Sequence, residues 1–117
     1  MRRMSFAMTE RQLLDGSKNI TRRLGWTNLK PGDRLLAVRK CQGLQRGERQ
    51  VVLGEIEVLG AEREALWDIL RHDGDCAREG FPELDASGFV RMFCEANRCT
   101  SDVTVTRIEL RLVRRMA

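Results

Sequence analysis

The chain has 117 residues, of which 42% are hydrophobic and 32% charged, with a formal net charge of +4. That length suits one domain, 1–117, around one core, and the balance excludes a disordered or fibrous chain. No apolar run approaches the length needed to span a membrane.

In chain order, Ser5-Phe6-Ala7-Met8 reads as a first strand. Thr9 then offers an N-cap, and Thr9-Glu10-Arg11-Gln12 has the form of a capping box. A short helix from Glu10 to Leu14 stops at Asp15-Gly16, where glycine supplies the left-handed turn. Asn19 to Arg23 reads as the second strand, and a loop holding Trp26 runs on to the Lys30-Pro31-Gly32-Asp33 turn. Arg34 to Lys40 is a strand with apolar residues on both faces, as in a barrel wall packed on its outside. Gln42 to Glu48 reads as an exposed hairpin loop. Gln50 to Leu59 is the next strand, its alternation slipping near Gly54 as at a bulge. Glu62 to Arg71 places Ala65, Leu66, Ile69 and Leu70 at helical spacing, with Trp67 expected in the core. Asp73-Gly74-Asp75 breaks that helix, and Cys76 to Phe81 is a short segment ending at Pro82. A further helix starts at Asp85-Ala86-Ser87 and stripes Phe89, Met92, Phe93 and Ala96 along one side. Val103 to Val113 closes the chain as a long strand, with Thr104, Thr106, Arg107, Glu109 and Arg111 expected mostly outward and one slip in the alternation near Arg107. Strands outnumber helices, so the expected class is α+β: a small mixed β-barrel with helices packed at its ends and a ligand cleft.

The chemistry concentrates in Gly16-Ser17-Lys18-Asn19-Ile20-Thr21-Arg22-Arg23. A glycine turn, a lysine, a hydroxyl and two arginines share eight residues, with few acids beside them in sequence. We read the segment as the floor of an anionic-ligand pocket. Basic clusters also occur at Arg2-Arg3, Arg39-Lys40 and Arg111 with Arg114-Arg115, while acids gather in 55–64 and 68–85. Either a one-sided basic face or an ordinary mixed surface accommodates that pattern. The basic start, Met1-Arg2-Arg3-Met4, lacks an apolar signal core, so a cytoplasmic location is the expectation. The four cysteines then read as free thiols or ligands. His72 and Cys76, with Cys94 and Cys99, supply zinc-type ligands at loose spacing without a Cys-x-x-Cys, so no metal site is assigned. No Gly-x-Gly-x-x-Gly or Walker loop occurs, which disfavours nucleotide-cofactor enzymes; no cofactor is expected.

Gly16-x-Lys18-x-x-x-x-Arg23 resembles the signature of ASCH domains, members of the PUA-like barrel superfamily. The likeness continues in order through Leu24-Gly25-Trp26, Leu29-Lys30-Pro31-Gly32-Asp33, Arg78-Glu79-Gly80-Phe81-Pro82, Phe89-Val90-x-Met92-Phe93 and Thr106-Arg107-Ile108-Glu109. It implies a β-barrel whose cleft against its helices takes RNA or a modified nucleoside. Some relatives are hydrolases: one removes the acetyl group of N4-acetylcytidine, and others resemble ribonucleases. The amidohydrolase relative uses a lysine, a threonine three residues later and a distant glutamate. Lys18 and Thr21 match the first two, and Glu79 is the candidate third, although its Arg-Glu-Gly-Phe-Pro setting departs from that enzyme's pattern.

On the residues' own terms, a desolvated Lys18 among arginines could lose its proton and serve as base to the Thr21 hydroxyl. Equally, Lys18 and Arg23 could form a strand-edge pair with Glu79, and Glu79 could brace its turn. Arg23 has the planar fork that suits a phosphate or carbonyl oxygen. Trp26 could stack on a base or fold onto the barrel mouth. Lys18, Thr21 and Glu79 are thus the candidate catalytic residues, and Gly16, Arg22, Arg23, Trp26 and Arg39 the candidate ligand contacts. Three functions remain: a module binding RNA or a modified nucleoside, a hydrolase of the kinds above, or a protein-interaction module; none involves a membrane.

Overall fold

The computed structural model describes residues 1–116. The elements run β1 (Arg3–Ser5), α1 (Glu10–Asp15), β2 (Ile20–Arg23), β3 (Arg34–Val38), β4 (Val52–Ala65), a 3-10 helix (Leu66–Arg71), α2 (Asp75–Arg78), α3 (Ala86–Asn97) and β5 (Thr104–Arg115). The strands form one sheet in the order β1-β3-β4-β5-β2. β1 pairs parallel with β3, and every other pairing is antiparallel. The sheet curls until its two edge strands approach: Arg23 at the end of β2 donates to the Ser5 carbonyl of β1 at 2.6 Å. A side chain therefore bridges a seam that no backbone ladder closes, and the result is the expected α+β architecture as a half-barrel with helices packed on it.

Two apolar clusters organise the packing. One lies within the curl and contains Met4, Phe6, Leu13, Leu35, Ile56 and Leu110 among its buried members. The other joins the start of β5 to the 3-10 helix and α3 through Leu66, Ile69, Phe89, Val90, Phe93 and Val105. Among the described residues, no helix is long and apolar enough to cross a membrane.

Several boundaries differ from the sequence reading. The first strand is Arg3–Ser5 and not 5–8, because it is the parallel register Arg3↔Leu36 to Ser5↔Val38 that pairs it. Phe6 stays buried, but Met8 lies exposed in the turn beyond. Thr9 makes no side-chain capping bond. It is buried against Gly80 instead, where a Cβ would stand 2.9 Å from Thr9 Cγ2. The helix expected over 62–71 splits: 62–65 belong to β4, whose ladder with β5 continues to Ala65↔Thr104, and only 66–71 coil. That coil is a 3-10 helix, which has three residues per turn. Leu66 and Ile69 stack on its buried edge, while Trp67 and Leu70, also three apart, stack on the next edge and are 39% and 53% exposed. Trp67 is therefore not a core residue. Arg107 is buried and not outward, because β5 sets it beside Arg22 in register, facing α2.

The expected irregularity near Gly54 is present. The β3–β4 register slips between Ala37↔Gly54 and Val38↔Val52, and the β4–β5 register slips again after Glu55. At Gly54 a Cβ would lie 2.3 Å from the Arg114 carbonyl oxygen, so β5 approaches closer than any side chain allows. Gly54→Ala should destabilise the fold by about 1–3 kcal/mol, whereas Gly60→Ala, with open space around its Cβ, should be neutral or stabilising by about 0.4–1 kcal/mol. Urea unfolding of the two variants measures both.

Candidate functional site

The segment entering β2 is tied down on two sides. Gly16 caps α1 in the left-handed region at φ 84, and the Lys18 amide then donates to the Gln12 carbonyl at 3.0 Å. The Asn19 amide donates to the Arg78 carbonyl at 2.9 Å, and Arg78 Nε donates back to Asn19 Oδ1 at 2.8 Å. These bonds dock the strand entry against α2. Asp75 and Glu79 stand four residues apart there, so one helical turn presents both carboxylates to the sheet.

The outcome is a buried charge network. Lys18 Nζ donates to the Glu79 carbonyl oxygen at 2.6 Å and to Glu79 Oε1 at 3.3 Å. Arg22 donates through Nη1 to Glu79 Oε2 at 3.1 Å and through Nη2 to Asp75 Oδ2 at 2.6 Å. Arg107 grips the same Asp75 carboxylate with Nε at 3.0 Å and Nη2 at 3.2 Å. Lys18, Arg22, Asp75 and Glu79 are all buried. The acids absent from the local sequence around Lys18 are thus supplied from far along the chain, and the partner of Glu79 beside Lys18 is Arg22, not Arg23.

Burial pushes the Lys18 ammonium down to about 8; Glu79 opposes the shift and Arg23 adds to it. Burial also raises the Glu79 carboxyl above the ordinary range, against the pull of Lys18 and Arg22. At Asp75 burial again opposes ionisation, but hydrogen bonds from Arg107 and Arg22 outweigh it and hold the carboxyl below its usual value.

A cavity of about 250 Å³ opens between the edge strands and α3. Lys18, Thr21, Arg22, Arg23 and Glu79 all line it, so five of the eight candidate residues converge there. Thr21 Oγ1 accepts from Arg23 Nε at 2.9 Å, which leaves its own proton to donate. Its apolar lining includes Phe6, Phe81, Phe89, Met92 and Phe93. The remaining three lie outside this cavity. Gly16 acts at the turn before Lys18. Trp26 lies under the Arg2 guanidinium, 4.2 Å from its ring centre. Arg39 forms a two-pronged ion pair with Glu10, at 2.9 Å on each prong.

Sequence reasoning overlooked Asp75 and Arg107, which complete the network. The four-residue Asp75–Glu79 spacing behind a helix-breaking glycine was the available signal for the first. Nothing local marks Arg107, whose burial comes from strand register. Among the described residues no group of three or more His, Cys, Asp or Glu side chains could hold a metal ion. His72 Nε2 instead lies 3.8 Å from Glu64 Oε1, and Cys94 and Cys99 pack against the cluster around α3.

No family model and no curated protein matches the chain by sequence. Solved structures do match its fold. A protein of Enterococcus faecalis carrying the family label DUF984 aligns with a TM-score of 0.65 at 15% identity, over 93% of this chain and 72% of that one. A mutant ASCH protein of Zymomonas mobilis aligns at 0.63 and 13% identity, over 99% and 70%. An ASCH domain of Lactobacillus crispatus aligns at 0.52 and 16% identity, over 97% and 79%. The chain thus has the fold of ASCH domains over nearly its whole length.

Two outcomes follow from the network. Asp75→Ala leaves Arg22 and Arg107 buried without their shared partner and should cost about 3–5 kcal/mol in urea unfolding. Between about pH 8 and pH 10.5 the unfolded chain holds a proton on Lys18 that the folded chain has lost. Stability contributed by this site therefore rises with pH across that window, and the parent should gain on Lys18→Met as pH rises through it.

Proposed function

We propose that this ASCH-fold protein binds a single nucleobase-sized guest, from RNA or a modified nucleoside, in the cavity above Lys18. The observation that carries the reading is the composition of that cavity. Lys18, Thr21, Arg23 and Glu79 supply it with hydrogen-bonding groups, and Phe6, Phe81, Phe89, Met92 and Phe93 supply it with apolar surface. A base needs that combination: polar partners at its edge and apolar surface against its faces. At about 250 Å³ the space is smaller than the usual pocket for a drug-sized molecule. It suits one base rather than a stacked pair, so an RNA strand would have to present an unstacked nucleotide. Arg22 Nε, buried with no hydrogen-bond partner among the described residues, adds a donor in a cavity-lining side chain.

The fold neighbours support the reading at the level of family, because the sequence resemblance implies RNA or nucleoside binding for ASCH domains. Arg23 remains a cation at neutral pH although burial lowers it to about 10. It is the one arginine of the cavity held by neutral acceptors, Thr21 and Ser5.

One observation favours a second reading, hydrolysis of an acylated nucleoside. Lys18 and Thr21 line the same cavity, and burial lowers the Lys18 ammonium to about 8, which eases loss of its proton. A neutral amine sharing a cavity with a threonine hydroxyl has the makings of a base and nucleophile. Glu79, bonded to Lys18, would then orient it.

The two readings diverge with pH. If the cavity binds by presenting the Lys18 ammonium to a guest oxygen, affinity falls as pH rises through about 8. If Lys18 acts as base, the rate rises through the same region. Calorimetric titration with cytidine and N4-acetylcytidine, with acetate release followed in parallel, covers both. The binding reading expects Arg23→Ala and Lys18→Ala each to weaken binding by about tenfold or more, with no acetate released. Failure of every natural nucleoside, of N4-acetylcytidine and of short RNA to bind at low salt sinks it. Acetate release abolished by Thr21→Val and Lys18→Ala would move the assignment to hydrolase.

A further inference from the structure

A second concavity adjoins the first. It encloses about 490 Å³ and is lined by Arg3, Ser5, Arg23, Trp26, Lys40 and Gln42, among others. Ser5 and Arg23 line both spaces, so the two adjoin at these residues. No acidic residue lines the second.

Two of the three cations that line it, Arg3 and Arg23, have no acidic partner among the described residues. Arg3 has no ion pair or side-chain hydrogen bond among the described residues. Arg23 bonds only neutral oxygens, those of Thr21 and Ser5. Lys40 meets Glu48 at 3.1 Å, but both side chains are more than a third exposed, at 37% and 35%, and such a pair is readily exchanged for a better partner. Arg2 adds its charge from above Trp26.

The position of Trp26 is itself imposed. Its φ is 53 and that of Gly25 is 72, two consecutive left-handed residues. For a bulky side chain this conformation is uncommon and persists only where the surroundings enforce it. They do so through the Gly25 carbonyl, which accepts from Thr106 Oγ1 at 2.5 Å and from Arg63 Nη1 at 3.3 Å. Strands β4 and β5 thus pin the turn that sets Trp26, and with it Arg2, at the rim of the groove.

We propose that this groove is a phosphate subsite, where Arg3 and Lys40 contact the phosphate of a nucleotide whose base sits in the adjoining cavity. Arg23 stands at the junction. The inference rests on the base-binding reading above and narrows it to a phosphorylated guest, either a mononucleotide or a nucleotide within a strand. Arginine forks match phosphate oxygens in two-pronged fashion, and a groove without carboxylates leaves them free to do so.

The test is calorimetric titration at low salt with four probe sets: the natural nucleosides, their 5′-monophosphates, their 3′-monophosphates and short single-stranded homo-oligoribonucleotides. The expected result is at least tenfold tighter binding of one phosphorylated set than of the matching nucleoside. The double variant Arg3→Ala, Lys40→Ala should erase that gain and leave nucleoside affinity unchanged; Arg3 is exposed and Lys40 partly so, and an unchanged urea midpoint checks that the variant is folded. For a strand, the slope of log affinity against log salt should flatten by about 1.4 in the double variant, two contacts at about 0.7 each. A gain seen with monophosphates identifies the free nucleotide as source, and one confined to oligonucleotides identifies the strand. Nucleosides that bind with no gain from phosphate, or a gain that survives the double variant, overturn the subsite while leaving the base cavity standing. With ribose 5-phosphate added as a base-free control, phosphate-dependent binding lost in the double variant and equal for that control upholds the subsite and refutes the base reading. Binding of no probe overturns both.

Discussion

The structure turns on one carboxylate. Asp75 is gripped by Arg22 from β2 and by Arg107 from β5, and it joins a four-residue helix to the sheet. So short a helix has no stability of its own. Its place depends on what it carries, and it carries Glu79 one turn beyond Asp75. A buried network of this kind has an all-or-none character, because loss of any member leaves an uncompensated charge away from water. Lys18, Arg22, Glu79, Asp75 and Arg107 therefore constrain one another's positions. The geometry of the cavity floor is inherited from that mutual constraint.

The same network sorts the arginines of β2 by function. Arg22 and Arg23 are neighbours on the strand but take different partners. Arg22 is absorbed by acids. Arg23 meets only a hydroxyl and a carbonyl, and in doing so it spans the seam between the two edge strands. A half-barrel with an open seam needs something to hold its edges together. Here that role falls to a cation lining both concavities, so closure of the fold and presentation of positive charge are one structural event.

A modest net charge of +4 conceals this sorting. Many of the acids face other arginines: Glu10 with Arg39, Glu57 with Arg111, Glu55 with Arg34 and Arg114. Around Trp26, Arg3 and Arg23 have no acidic partner among the described residues. Local excess, not total charge, governs where an anion would settle.

Much of this was legible in the chain itself. Residue patterning located β2, β3, β5 and the first part of β4, glycine after Asp15 stopped α1, Asp85 opened α3, and the crowding of polar groups in 16–23 marked a segment that lines the cavity, because all of these are local preferences of the backbone or of water. Pairing was not legible. Whether 62–65 coil or extend was decided by the β5 ladder. Trp67 reached solvent because a 3-10 turn has a different period from an α-turn. Arg107 went inside because its register neighbour is Arg22, and Asp75 met both across 53 and 32 residues of sequence. Composition and spacing determined which residues are capable of the chemistry; only the tertiary fold decided which of them meet, because a buried charge takes its partner from whatever strand register and helix docking bring within about 3 Å.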